Sequence, residues 1–151
     1  MLKGVGQLTG RTMKGMVHLL QPKAVALPEI LTAWKLEQQL GRPPGRVQRS
    51  AATVGFRRDG TVAVHYDGVE MLTEFKFYPR RWPRACSIEF DARAWQGPRD
   101  GAPVLKHYRG EFVRNLMDPR VITIEGVIYD VRGNALWKKR IKSGTFVAKR
   151  R

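Results

Sequence analysis

Acid is missing from both ends of this sequence. No Asp or Glu precedes Glu29 and none follows Asp130, so neither end can neutralise itself through local ion pairs, and neither suits a basic partner. Cysteine is nearly absent too. Cys86 alone excludes an intramolecular disulfide and any cysteine-based zinc cluster, and it reads as a small core hydrophobe. No apolar run approaches the ~20 residues of a membrane-spanning helix. Catalytic signatures are lacking as well. GVGQLTG at 4–10 spaces its glycines as GxGxxxG, with no strand before it and no Lys-Ser/Thr pair after it. Ser87 sits in no nucleophile elbow. His18, His65 and His107 lie far apart and read as surface or packing residues, and Glu89 and Asp91 share one face of a strand, as structural ion-pairing residues do. The expectation is a protein that is not an enzyme, with no cofactor, no metal and no small-molecule substrate.

Positive charge is what the chain has in excess. It carries 28 Lys and Arg against 13 Asp and Glu, a formal +15. Such an imbalance favours polyanionic partners, nucleic acid or an anionic membrane. Residues 1–28 hold Lys3, Arg11, Lys14 and Lys23; after Asp130 come Arg132, Lys138, Lys139, Arg140, Lys142, Lys149, Arg150 and Arg151. The centre is closer to balance. With 151 residues, 42% of them hydrophobic, the chain is long and apolar enough for one domain with a real core.

The opening MLKGVGQLTGRTMKGMVHLLQ has scattered Lys and Arg, no acid, and Leu, Val and Met at roughly helical spacing. That is the composition of a mitochondrial transit peptide, here expected to be retained as a basic extension over 1–26 and ordered, like the other end, by a partner. A helix around 5–20 is weakened by Gly6, Gly10 and Gly15. LPEILTAWKLEQQLG predicts a helix over 27–41: Pro28 suits the first turn, Glu29 its positive end, Ile30, Leu31, Trp34 and Leu40 share a face, and Gly41 with Pro43 stops it. Residues 42–51 read as a stiff basic linker.

From residue 52 the pattern turns strand-like. Segments 52–57 and 61–66 flank an RDG turn, 69–77 follows Asp67–Gly68, and 86–94 alternates Cys86, Ile88, Phe90, Ala92 and Ala94 against Ser87, Glu89, Asp91 and Arg93. Strands at 104–113, 121–131 and 135–142, with a short one at 145–148, complete the set. Strand 121–131 is partly apolar on both faces, which predicts a central strand covered on two sides, with the 27–40 helix as a candidate cover. The fold class expected is α+β: N-terminal helices, then a six- to seven-stranded antiparallel meander over 52–148, partly or fully closed into a barrel, with 149–151 a basic end.

The candidate binding residues are basic. FYPRRWPR at 77–84 sets Arg80, Arg81 and Arg84 among Tyr78 and Trp82 in a proline-stiffened loop. Guanidinium groups pair bidentately with phosphate, and aromatic rings stack on unpaired bases; equally, Trp82 can cap a barrel end while the arginines face out. Arg42, Arg46 and Arg49 lie in the linker and Arg57 and Arg58 at a hairpin tip. With Lys3, Arg11, Lys14, Lys138, Lys139, Arg140, Lys142, Lys149, Arg150 and Arg151, they place cations on several loops and both ends. Such dispersion suits a protein embedded in RNA better than a reader of one DNA groove.

With its acid-free ends and small sheet, the chain resembles the organellar ribosomal proteins, and TGRTMKGMVHLL resembles the N-terminal Arg-Thr-containing helix of one mitochondrial small-subunit protein family. The resemblance implies a structural role without catalytic residues in the mitochondrial matrix or another organelle. It also implies basic extensions threaded between rRNA helices, a body packed on neighbouring proteins, and no life as a free monomer. Two other readings stay open. One is an accessory or assembly subunit of a mitochondrial membrane complex, whose basic surface meets anionic lipid. The other is a small lipocalin-like ligand-binding barrel, which the bulky inward residues disfavour. Within LWKKRIKSGTFVAKRR, Trp137 and Ile141 are expected to face the core while Leu136, Lys138, Arg140 and Lys142 project as a ridge. Ser143–Gly144 then bulges or turns the chain, and Phe146 and Ala148 return to the sheet with Val147 facing the other way.

Overall fold

The structure, a computed structural model, describes residues 24–41, 47–66, 68–81, 84–94, 104–133 and 136–151. A single helical turn, α1 (Leu27–Ile30), precedes eight strands: β1 (Ala33–Leu40), β2 (Gln48–Phe56), β3 (Thr61–Tyr66), β4 (Val69–Tyr78), β5 (Ser87–Ala94), β6 (Val104–Arg114), β7 (Ile122–Gly133) and β8 (Lys138–Arg150). Each pairs antiparallel with the next, and β8 returns to β1 from Trp34↔Arg150 to Leu40↔Gly144, closing the meander into a barrel. Closure removes the exposed sheet edges that an open meander would present.

The expected helix over 27–41 is corrected. Only Leu27–Ile30 is helical, and Ala33–Leu40 is a strand in which Trp34, Leu36, Gln38 and Leu40 are buried while Lys35, Glu37 and Gln39 are exposed. The helix-favouring run KLEQQL yields to its neighbours, because β1 supplies the ladder partner that both β2 and β8 need. Tertiary pairing of this kind overrides intrinsic propensity. Domain edges move with it. Arg49 and its neighbours, expected in a linker, pair with β1; Lys149 and Arg150, expected beyond the domain, belong to β8 and face Lys35 and Trp34. The two C-terminal segments expected as separate strands form one, with a register shift that leaves Ser143 unpaired between Ile128↔Gly144 and Tyr129↔Lys142. Strand β7 buries Ile122, Ile124 and Ile128, but among the described residues no helix covers its other side, where Glu125 is exposed and Val127 and Tyr129 are half-buried. The predicted helix around 5–20, with Lys3, Arg11 and Lys14, and the linker residues Arg42 and Arg46 lie outside the described residues.

Aromatic rings occupy the interior. Trp34 on β1 meets Phe112 on β6 at 6.0 Å, Phe56 on β2 meets Phe90 on β5 at 5.9 Å, and Tyr108 stacks on Phe90 at 4.9 Å. These contacts include pairs that cross the barrel, and favourable ring geometry adds roughly 0.5–1.5 kcal/mol per pair beyond area burial. Helix α1 packs at the end of the barrel where β1 begins. There Ile30 and Trp34 are fully buried, and the Trp34 indole donates to the Ile30 carbonyl at 3.1 Å. The buried Arg114 guanidinium donates to both Glu29 carboxylate oxygens, at 2.8 and 2.9 Å, and to the Pro119 carbonyl. Cys86 is buried, as expected, with its thiol 3.3 Å from the Val25 carbonyl.

Towards the other end the interior becomes polar. The Tyr108 hydroxyl donates to Gln38 Oε1 at 2.7 Å, and Gln38 Nε2 donates to Ser50 Oγ at 2.9 Å. Burial pushes the Tyr108 pKa up, Tyr66 adds to the rise, and the Gln38 hydrogen bond opposes it. The folded state therefore keeps this proton where the unfolded chain loses it, so stability falls as pH rises above about 10, the ordinary tyrosine value. Urea midpoints measured below and above that pH are expected to drop more steeply for the wild type than for Tyr108→Phe. Parallel drops would mean that the hydroxyl is not shielded.

Candidate nucleic-acid interface

The meander sorts the basic residues by strand direction. Connections 57–60, 79–86 and 115–121 and the C-terminal end of β8 all lie at the α1 end of the barrel, which gathers Arg58, Arg80, Arg81, Arg84, Arg120, Arg150 and Arg151 there. Arg81 and Arg84 are clamped by mutual backbone hydrogen bonds of 3.1 and 2.6 Å, and both side chains are exposed. Trp82, between them, lies outside the described residues. The Arg150 guanidinium donates to the Arg120 carbonyl, which ties the strand end to the β6–β7 turn. Two acids sit in these connections: Asp118, 3.2 Å from Arg120, and Asp59, held within its own turn by Thr61. Arg57 starts at this end but runs along the wall to Glu70, 3.6 Å away.

A different structure carries the lysines. The last β6–β7 pair is Lys106↔Asp130, and the last β1–β8 pair is Leu40↔Gly144, whereas β7 and β8 continue together from Tyr129↔Lys142 to Gly133↔Lys138. Beyond those points the two strands run as a ribbon with no third strand beside it among the described residues. One face sets Lys138, Arg140 and Lys142 opposite Gly133, Val131 and Tyr129, while Arg132 and Lys139 pair on the reverse. Alternate residues of a strand are about 7 Å apart, so the ridge is a regular cation array. The sequence contains no acid after Asp130.

This ribbon corrects the expectation for Trp137 and Ile141. Ile141 does alternate against the ridge and shares a face with Asp130, and Trp137 precedes the first residue of β8, but Trp137 is 61% and Ile141 40% exposed because the barrel wall ends before reaching them. Phe146 and Ala148 are buried and Val147 faces outward, as expected. Sequence reasoning placed Leu136 in the ridge, turned Trp137 to the core and did not single out Arg120. For Trp137, its place just after the RGN segment expected to separate two strands was the available signal.

The other polar cluster is on the outer wall. His107 is buried, with Nδ1 2.6 Å from Asp91 Oδ1 and Nε2 3.9 Å from Glu89, and Glu89 also meets Arg109 at 3.5 Å. His65 lies 3.6 Å from Glu70. Glu89 thus takes the ion-pair role expected for it, with Arg109, and among the described residues no group of three or more His, Cys, Asp and Glu side chains is placed to hold a metal ion. In comparisons with known proteins, no family model, no curated protein and no solved structure matches this chain.

Proposed function

We propose that this protein is a structural constituent of a mitochondrial ribosome that binds rRNA phosphates through its basic ends and packs on neighbouring proteins. The observation that carries this reading is the β7–β8 ribbon: Arg132, Lys138, Lys139, Arg140 and Lys142 stand outside the barrel on a paired backbone, with no acid beyond Asp130. Cations fixed on strands lose less conformational entropy on binding than a mobile tail does. Rings crossing the interior count against a lipocalin-like ligand barrel.

Salt dependence tests the reading. Four engaged arm cations give a slope of log K against log salt of about −3 for single-stranded RNA, or roughly 50-fold weaker binding between 50 and 200 mM salt. Replacing Lys138, Lys139, Arg140 and Lys142 together by Gln is expected to remove that contribution from the slope measured by fluorescence anisotropy. An unchanged slope would refute the arm as the contact. Binding to cardiolipin-containing vesicles with none to RNA would instead favour the membrane-complex accessory subunit.

A further inference from the structure

The two cationic regions lie at opposite ends of the barrel, and a short belt of three carboxylates on neighbouring parts of the wall lies between them. On β8 the ridge ends at Lys142 and the next cation towards the α1 end is Lys149, opposite Lys35, a separation of about 23 Å along the strand. That is roughly three times the ~8 Å Debye length at physiological salt, so the two regions attract phosphate independently. Between them, Val147 pairs with Glu37 on one side and Glu125 on the other, and Glu125 pairs with Glu111. All three glutamates are exposed on the outer wall. One phosphate backbone laid along β8 from ridge to cluster would have to cross this acidic belt, and like charges there oppose it.

Resting on the RNA-binding function proposed above, we infer that the barrel is a two-ended spacer that holds two separate RNA segments. One segment lies on the β7–β8 ribbon, and the other on the arginine cluster at the α1 end; the glutamate belt keeps either from spanning both. The two surfaces differ in kind. The ribbon offers mostly lysines, compact point charges on flexible stems. The α1 end offers arginines, whose planar forks pair bidentately with phosphate.

The test uses the full chain with short RNA hairpins, half carrying a donor dye and half an acceptor. Wild-type protein is expected to saturate at two hairpins per protein and to bring donor and acceptor together, in a complex that sedimentation shows to contain one protein copy. Replacing Lys138, Lys139, Arg140 and Lys142 by Gln, or separately Arg58, Arg81, Arg84 and Arg151 by Gln, should each reduce the stoichiometry to one and abolish energy transfer while leaving binding intact. Combining both sets should weaken binding well beyond either set alone. Saturation of the wild type at one hairpin without transfer overturns the inference, as does loss of all binding from one set alone, or a bridged complex containing two protein copies. Absence of any RNA binding by the wild type overturns the function on which the inference rests.

Discussion

Replacing Gly126 by alanine is expected to destabilise the barrel nearly as much as replacing it by valine. Gly126 pairs with Gly110 across β6 and β7, and the Phe146 ring lies over both. A Cβ at position 126 would meet the Arg109 carbonyl oxygen and stand 2.7 Å from the Gly110 Cα and 2.5 Å from Phe146 Cε1. The ring could swing away, but the backbone oxygen and the α-carbon cannot. Nor is the ring free to move alone, since Phe146 packs edge-on against Tyr108 at 5.4 Å, and Tyr108 is held by Phe90 and Gln38. Overpacking costs typically about 1–3 kcal/mol where side chains can yield, and here the first methyl group already meets backbone. We expect a loss at or above that range for both variants, a large part of the ~5–15 kcal/mol that holds a domain folded. Urea unfolding should show a lower midpoint with an unchanged slope. Gly55→Ala is the control, because nothing lies within 4 Å of a Cβ there. If Gly126→Ala unfolds with the control, the ring-over-glycine packing is refuted.

Strands with an apolar inward row were legible in the sequence. Cys86, Ile88, Phe90 and Ala92 alternate against polar neighbours, and the structure buries those four. Strand β1 was not legible, for two physical reasons. Its residues favour helix, and its inward row contains Gln38, whose partners Ser50 and Tyr108 come from β2 and β6. Local pattern also gives the face of a residue without saying whether anything stands opposite. Ile141 was assigned a face correctly, and both Trp137 and Ile141 a burial wrongly, because the length of β7–β8 relative to β1 and β6 is a property of the closed sheet. The same holds for the interface. All but Arg120 of its arginines were singled out, but only strand direction collects them at one end, and the belt joins Glu37 of β1 to Glu111 and Glu125 of β6 and β7, far along the chain.

Buried Lys106 illustrates the same dependence on distant partners, and it supports an unequal pair of outcomes. Its side chain is fully buried and its ammonium donates to Asp130 Oδ1, 24 residues away. Asp130 sits where the ribbon leaves the barrel, with its other oxygen 3.8 Å from the exposed Arg132 guanidinium. Asp130→Ala strands the ammonium in the interior without its counter-ion, and removal of one partner of a buried pair costs about 3–5 kcal/mol. Lys106→Met should cost less, because the carboxylate it leaves behind retains Arg132 and lies near the barrel mouth. The double replacement, Lys106→Met with Asp130→Leu, removes both charges and fills the space with apolar groups, so it is expected to be more stable than Asp130→Ala alone. A double-mutant cycle on urea midpoints reads the coupling directly. Additive single costs, or equal costs for the two single variants, would show that the pair is hydrated and contributes little to holding the root of the ribbon.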